Sequence, residues 1–344
     1  MPRAGTNMVE LFREELELCG VGPGERVAVL SEGDQLRDYA EAFLTAARAL
    51  GADVEDVNLR SDGAKSASER IAHLGKNSLT GDRAAMETLK AADLVVDHML
   101  LLFSREQIEI QEAGTRMLLV VEPFEVLERL FPSEDLRRRV EAGEARLAKA
   151  RTLRFTNAAG TDVTYQLGER PILTEYGYTD TPGRWDHWPG GFLSTIGAKG
   201  RGEGRVVMDR GDIVYPHKRM LGEPVEFVVR DGAVADIRGG AEAAELRKFM
   251  ESYQDPRAYA LSHIGWGLND RCEWTVERPG IGMDGRAYYG NVLFSLGPDT
   301  EFGGDNDTEC HLDLPMRRCS LWLDDELIVK DGEVIPEDMR APGR

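Results

Sequence analysis

From Arg26 to Val121 the chain alternates short aliphatic runs with stretches of helical periodicity, and this alternation restricts the fold more than any other feature. Arg26–Leu30, Val54–Leu59, Leu94–Val96 and Met117–Val121 read as strands. Amphipathic or well-capped helices are expected at about Met8–Cys19, Gln35–Leu50, Asp82–Ala92 and Ser104–Ala113. A strand followed by a helix and another strand needs a crossover connection, which makes neighbouring strands parallel. Ser133, with Glu134 and Asp135 after it, is an N-cap with acidic residues in the first turn; it opens a charged helix to about Ala150 that closes the first domain. The glycine-rich Gly20-Val21-Gly22-Pro23-Gly24 precedes a strand, whereas a phosphate-binding loop follows one, so it reads as a turn.

After Arg151 the pattern becomes antiparallel. Leu153–Asn157 with Thr161–Leu167, Val225–Arg230 with Ala233–Ile237, and Leu327–Lys330 with Glu333–Ile335 each read as a hairpin. Asp-Gly occupies the turn of the second and the third. One helix is expected at about Ala241–Tyr253, among Gly- and Trp-rich connections. The expected fold is an α/β N-terminal domain with a mainly parallel sheet (1–150, Rossmann-like). A β-rich α+β C-terminal domain carrying the metal site follows (151–344). A length of 344 residues suits two such domains.

A net charge of −19 argues against a nucleic-acid or anionic-membrane surface, since both select basic patches. There is no apolar run long enough to span a bilayer and no apolar leader after Met1, so a cytoplasmic protein is expected. Cys19, Cys272, Cys310 and Cys319 lie far apart without a C-x-x-C, which indicates neither a disulfide framework nor a zinc knuckle.

With six histidines in all, those in unusual company stand out. In Glu309-Cys310-His311-Leu312-Asp313-Leu314-Pro315 apolar and polar residues alternate as in a strand, so His311 and Asp313 project to one face. Cys310 points the other way and reads as a small buried apolar group. His263 lies in Ser262-His263-Ile264-Gly265-Trp266-Gly267. It is either a core histidine or a third ligand. If it joins His311 and Asp313, two imidazoles and one carboxylate make the facial set of non-haem Fe(II) sites, a set that also suits Zn or Mn. Four of the five tryptophans fall between 185 and 274, close in sequence to His187 and His263. They form either an aromatic slot for a flat ring or an ordinary core. Glu175 and His187 are candidates for proton transfer, with salt-bridging or surface placement as the alternative. Arg286 and Tyr288 are candidates for orienting a ring, or structural. His73, His98 and His217 read as structural, with Asp97-His98 at a strand end the pair to revisit.

Long uncommon strings at these same places carry a family resemblance: TEYGYTDTPGRWDHWPGGF (Thr174–Phe192), SHIGWGL (Ser262–Leu268), MDGRAYYGNVLFSLGPDTEFGG (Met283–Gly304) and CHLDLP (Cys310–Pro315). Over nearly its whole length the chain resembles the 2,5-dihydroxypyridine 5,6-dioxygenases of bacterial nicotinate degradation. The resemblance implies one Fe(II) on His263, His311 and Asp313, with Glu175 and His187 assisting proton movement during ring opening. It also implies a small aromatic substrate and O2 as partners, and a homo-oligomer. Where the family has Met-Leu-Leu-His-Ser, with a histidine that touches the substrate, this chain has Leu100-Leu101-Leu102-Phe103-Ser104. Leu102 and Phe103 are therefore expected at the substrate. Phe103 transfers no proton, so either the ring substituents differ or His98 or a water takes that part. Broader fold relatives are two-metal aminopeptidases, whose bridging carboxylates have no counterpart beside His263. The alternatives are such a hydrolase, a dioxygenase for another hydroxylated aromatic, or a metal-free binding protein.

Overall fold

The computed structural model describes residues 7–60, 67–71 and 73–343. In chain order the strands of the first half are β1 (Arg26–Glu32), β2 (Asp53–Leu59), β3 (Leu94–Asp97), β4 (Arg116–Val120), β5 (Thr152–Asn157), β6 (Asp162–Leu167) and β7 (Leu173–Glu175). Next come β8 (Trp185–Trp188), β9 (Phe192–Met208), β10 (Ile213–Val214), β11 (Arg219–Met220), β12 (Val225–Arg230) and β13 (Ala233–Gly239). The last are β14 (Leu261–Gly267), β15 (Val292–Leu296), β16 (Leu312–Met316), β17 (Cys319–Leu323), β18 (Glu326–Lys330) and β19 (Glu333–Val334). The helices are α1 (Met8–Leu18), α2 (Arg37–Ala49), α3 (Ala67–Ile71), α4 (Arg83–Lys90), α5 (Arg105–Glu112), α6 (Phe124–Arg129), α7 (Glu134–Leu147), α8 (Ala241–Ser252) and the single turn α9 (Met283–Arg286).

The chain groups into two compact units. The first comprises 1–132 with 175–190 and 279–281; the second comprises 133–174, 191–278 and 282–344. Unit one holds an all-parallel sheet of order β2-β1-β3-β4-β8. Four of its strands are those expected from the alternation. The fifth, β8, lies in a stretch expected to be a Trp-rich connection. It pairs Met117 with Trp185 through Val120 with Trp188, and the buried Trp188 ring packs edge-on to Phe12 and Phe131 at 5.7 and 5.6 Å. Nothing in four residues, Trp-Asp-His-Trp, announces a parallel partner more than sixty residues earlier. Aromatic burial against α1 decides it. On α1, Leu11, Phe12 and Leu16 are fully buried while Val9 and Leu18 are half-buried, as the periodicity requires.

Unit two is built on antiparallel strands in the order β16-β15-β14-β9-β6-β5-β17-β18-β19, with the β12–β13 hairpin joined to β9. All three expected hairpins are present. The unexpected organiser is β9, whose 17 residues pair with β6, β12 and β14. Its glycines resemble a loop in sequence but work as close-contact positions. The same holds across the ladder at Gly265, where an added Cβ would come within 1.9 Å of the Leu193 carbonyl oxygen. The expected division at residue 150 differs from the units in another respect, because α7 groups with unit two. Its Ser133 cap is as expected, Oγ accepting from Leu136 N at 3.2 Å. The buried Arg139 then donates to the Leu268 carbonyl oxygen and pairs with Asp270 at 2.8 Å, fixing the helix to that unit.

Candidate metal centre

His263 stands on β14, His311 immediately before β16, and Asp313 on β16; β15 lies between these two strands. Flat pairing would not aim all three side chains at one point. The β14–β15 register is interrupted between Leu261 and Ile264, which sets Ser262 and His263 out of the ladder. Such an irregularity re-aims a side chain. The re-aimed backbone is held by Ser295 of β15, whose Oγ donates to the His263 carbonyl oxygen at 2.8 Å. Ser295 in turn pairs with Asp313 across β15–β16.

The outcome is a close convergence. His263 Nε2 is 3.1 Å and His311 Nε2 3.0 Å from the same oxygen, Asp313 Oδ1, and the three residues are 8, 2 and 4% exposed. The three ligand atoms thus converge on one point. Among the described residues they are the one group of three or more His, Cys, Asp or Glu side chains whose donor atoms all lie within 4.8 Å. The imidazoles are tilted at 37° with centroids 5.3 Å apart, and Phe302 and Phe192 flank His263 at 6.2 and 6.0 Å.

Protonation favours ligation. Burial pushes His263 below its ordinary value, against the opposing pull of Asp313, so its imidazole is neutral. Burial by itself would raise Asp313; the charges of His311 and Arg286 and the bonds from the two imidazoles outweigh it and hold the carboxyl well below the usual range. Two imidazole nitrogens and an anionic oxygen, in a dry setting, fit a divalent transition-metal ion. Asp313 Oδ2 is engaged separately, accepting from Arg286 Nε at 2.6 Å.

Tyr288 packs edge-on to Trp274 at 5.2 Å, and Cys310 is fully buried with its thiol pushed up to about 12, by burial first and then by Asp255. Glu175, His187, Leu102 and Phe103 belong to unit one. Glu175 and His187 are buried, and the segments bearing them are joined by Asp186. This fully buried carboxylate accepts from Tyr176 N, Gly177 N and His187 N at 3.2, 2.9 and 2.7 Å and pairs with Arg184 at 2.7 Å. Leu102 and Phe103 lie in the turn after β3. There Asp97 accepts from Met99 N and Leu101 N at 2.6 and 2.8 Å, and Leu100 and Phe103 take left-handed φ of 59° and 61°. Phe103 is 5% exposed.

His98 does not substitute for the missing histidine. Its Nδ1–H donates to the Val120 carbonyl oxygen at 2.7 Å, and its ring packs beside Phe43 and Tyr39 at 5.6 and 6.1 Å. Burial pushes its pKa down to about 4. It is a core histidine; His217 is exposed and packs against Phe249 at 4.5 Å, and His73 is exposed. Sequence reasoning missed Tyr215, Ser295 and Phe302, because each reaches the centre only through folding. The one local signal was the Tyr215-Pro216 dipeptide, a turn marker that says nothing of ligands.

The NicX family model, 2,5-dihydroxypyridine 5,6-dioxygenase, matches residues 7–336. The 2,5-dihydroxypyridine 5,6-dioxygenase of Pseudomonas putida KT2440 is 45% identical over 349 residues, covering 99% of this chain and 100% of the relative. A solved structure of 2,5-dihydroxypyridine dioxygenase from the same organism superimposes with a TM-score of 0.93 at 44% identity, covering 97% of this chain and 98% of the other. AmpT from Thermus thermophilus shares the fold, with a TM-score of 0.65 at 13% identity over 96% of this chain and 99% of that one. Among the described residues no helix is long and apolar enough to cross a membrane. With a family match over nearly its full length and close likeness to a solved member, the chain belongs to the 2,5-dihydroxypyridine 5,6-dioxygenase family.

Proposed function

We propose that this chain is an Fe(II)-dependent ring-cleaving dioxygenase that opens 2,5-dihydroxypyridine with O2 to N-formylmaleamate, both oxygen atoms entering the product. The observation that carries the reading is the convergence of His263, His311 and Asp313, with two imidazoles and one carboxylate oxygen facing one point. Fe(II) held by His263, His311 and Asp313 would supply the redox chemistry that lets O2 react with the ring. The chain's own groups supply the rest. Asp313 stays anionic, so its carboxylate needs no proton removed before the centre is filled. Glu175 takes the proton of the ring hydroxyl, and His187 moves a proton as the oxygenated ring collapses. Leu102 and Phe103 contribute an apolar contact to the ring. Phe103 transfers no proton and His98 is tied into the core, which leaves the proton traffic to Glu175, His187 and water. Arg286 and Tyr288 are assigned to orienting the ring.

The test is oxygen uptake after anaerobic Fe(II) loading, with 2,5-dihydroxypyridine supplied and ring absorbance followed in parallel. Equal loss of O2 and of the aromatic band, abolished together with iron retention in His311→Ala, is the expected result. Retained iron without O2 consumption would favour a ring with other substituents, as Phe103 allows. Full turnover in His311→Ala would remove the assignment.

A further inference from the structure

Asp313 offers two oxygens, and only one faces the imidazoles. Arg286, on α9, donates from Nε to Oδ2 at 2.6 Å, with both side chains almost wholly buried. This bond fixes the rotation of the carboxylate and leaves Oδ1 to face His263 and His311. A flexible guanidinium performs that task only if it is itself held. Its Cζ lies 4.0 Å from the centroid of the Tyr215 ring, a cation–π contact strengthened by burial, since Tyr215 is 1% exposed. The ring is seated as well. A Cβ at Gly282 would come within 2.4 Å of Tyr215 Cε1, and one at Gly285 within 2.5 Å of its hydroxyl, so the start of α9 forms a glycine floor against it. Finally, Tyr215 N donates to the Asp313 carbonyl oxygen at 2.9 Å, an isolated bridge outside the named strands.

From this we infer that Tyr215 is a positioning residue of the metal centre: it holds Asp313 directly through its main chain and, through its ring beneath Arg286, holds the carboxylate in its ligating rotation. This rests on the proposed metal centre and adds a residue with no ligating atom of its own. Partners of metal ligands orient them in this way, and losing one typically weakens metal binding about 10–100-fold.

The test uses Co(II) as probe, with chelator competition on the full chain and the thermal midpoint of each metal-free variant as a folding control. Tyr215→Phe keeps the ring and should bind within about twofold of the parent. Tyr215→Leu and Arg286→Gln, each still unfolding cooperatively without metal at a lowered midpoint, should each bind about 10–100-fold more weakly. Because the ring acts through the guanidinium, the double variant should be no weaker than Arg286→Gln alone. Parental affinity in Tyr215→Leu, or multiplied losses in the double variant, would overturn the inference while leaving the metal centre intact. A parent that binds no Co(II) would instead overturn the centre and the inference together. If Tyr215→Leu does not fold, Arg286→Lys decides: it keeps the charge but loses the flat face on Tyr215, and parental affinity there refutes the role.

Discussion

Asp97 and His98, adjacent at the end of β3, titrate in opposite senses, and His98→Asn should expose the difference. His98 is pushed by burial from 6.5 down to about 4, with Val120, Asp38 and Arg37 as lesser influences. Its folded form binds fewer protons than the unfolded chain, so its stabilisation is complete above about 6.5 and is lost as pH falls toward about 4. Asp97 is raised by burial from 3.8 to about 6, against the bonds from Leu101 and Met99. Its stabilisation is complete below about 3.8 and is lost as pH rises through about 6. At about 1.4 kcal/mol per unit each group is worth roughly 3 kcal/mol across its window, and between about pH 4 and 6 the two slopes cancel. Asn at 98 places an amide N–H where Nδ1–H now meets the Val120 carbonyl oxygen, so the bond is kept and the titration removed. A smaller side chain also lowers stability by a pH-independent amount, which leaves the shape of the curve as the observable. Urea unfolding from pH 4.5 to 7.5 should show the parent losing about 3 kcal/mol relative to His98→Asn as pH falls. The variant alone should become less stable as pH rises from 4.5 to 6. Parallel curves would refute the assignment of His98 as a buried neutral imidazole.

Two further outcomes follow from packing and capping. Gly265→Ala forces a Cβ to within 1.9 Å of the Leu193 carbonyl oxygen in the β9–β14 ladder, two residues from His263; it should cost about 3 kcal/mol and lower metal retention in proportion, read by thermal midpoint and metal analysis, and unchanged values would show that the ladder yields freely. Ser133→Ala removes the acceptor for Leu136 N at the start of α7 and should cost about 1 kcal/mol in urea unfolding, with full stability contradicting the capping assignment.

What the sequence determined by itself is local. Periodicity marks α1, α2 and four of the five parallel strands; Ser133 marks the start of α7; Asp231-Gly232 and Asp331-Gly332 mark hairpin turns; and the residue types for a metal centre, two histidines and an aspartate, are visible in uncommon strings. Each signal is written within one turn of helix or one strand, so it survives without knowledge of the fold. Tertiary structure alone decided the rest. β8 becomes a strand only because Trp188 buries against α1 and its backbone meets β4, and β9 looks like a loop until its glycines are seen at close contacts with neighbouring strands. The convergence of His263 with His311 and Asp313 depends on a register break in β14, and the hold on Asp313 depends on Arg286 and Tyr215, which come from distant segments. Register and side-chain aim follow from contacts between residues far apart in the chain, and these exist only once the sheets have closed around them.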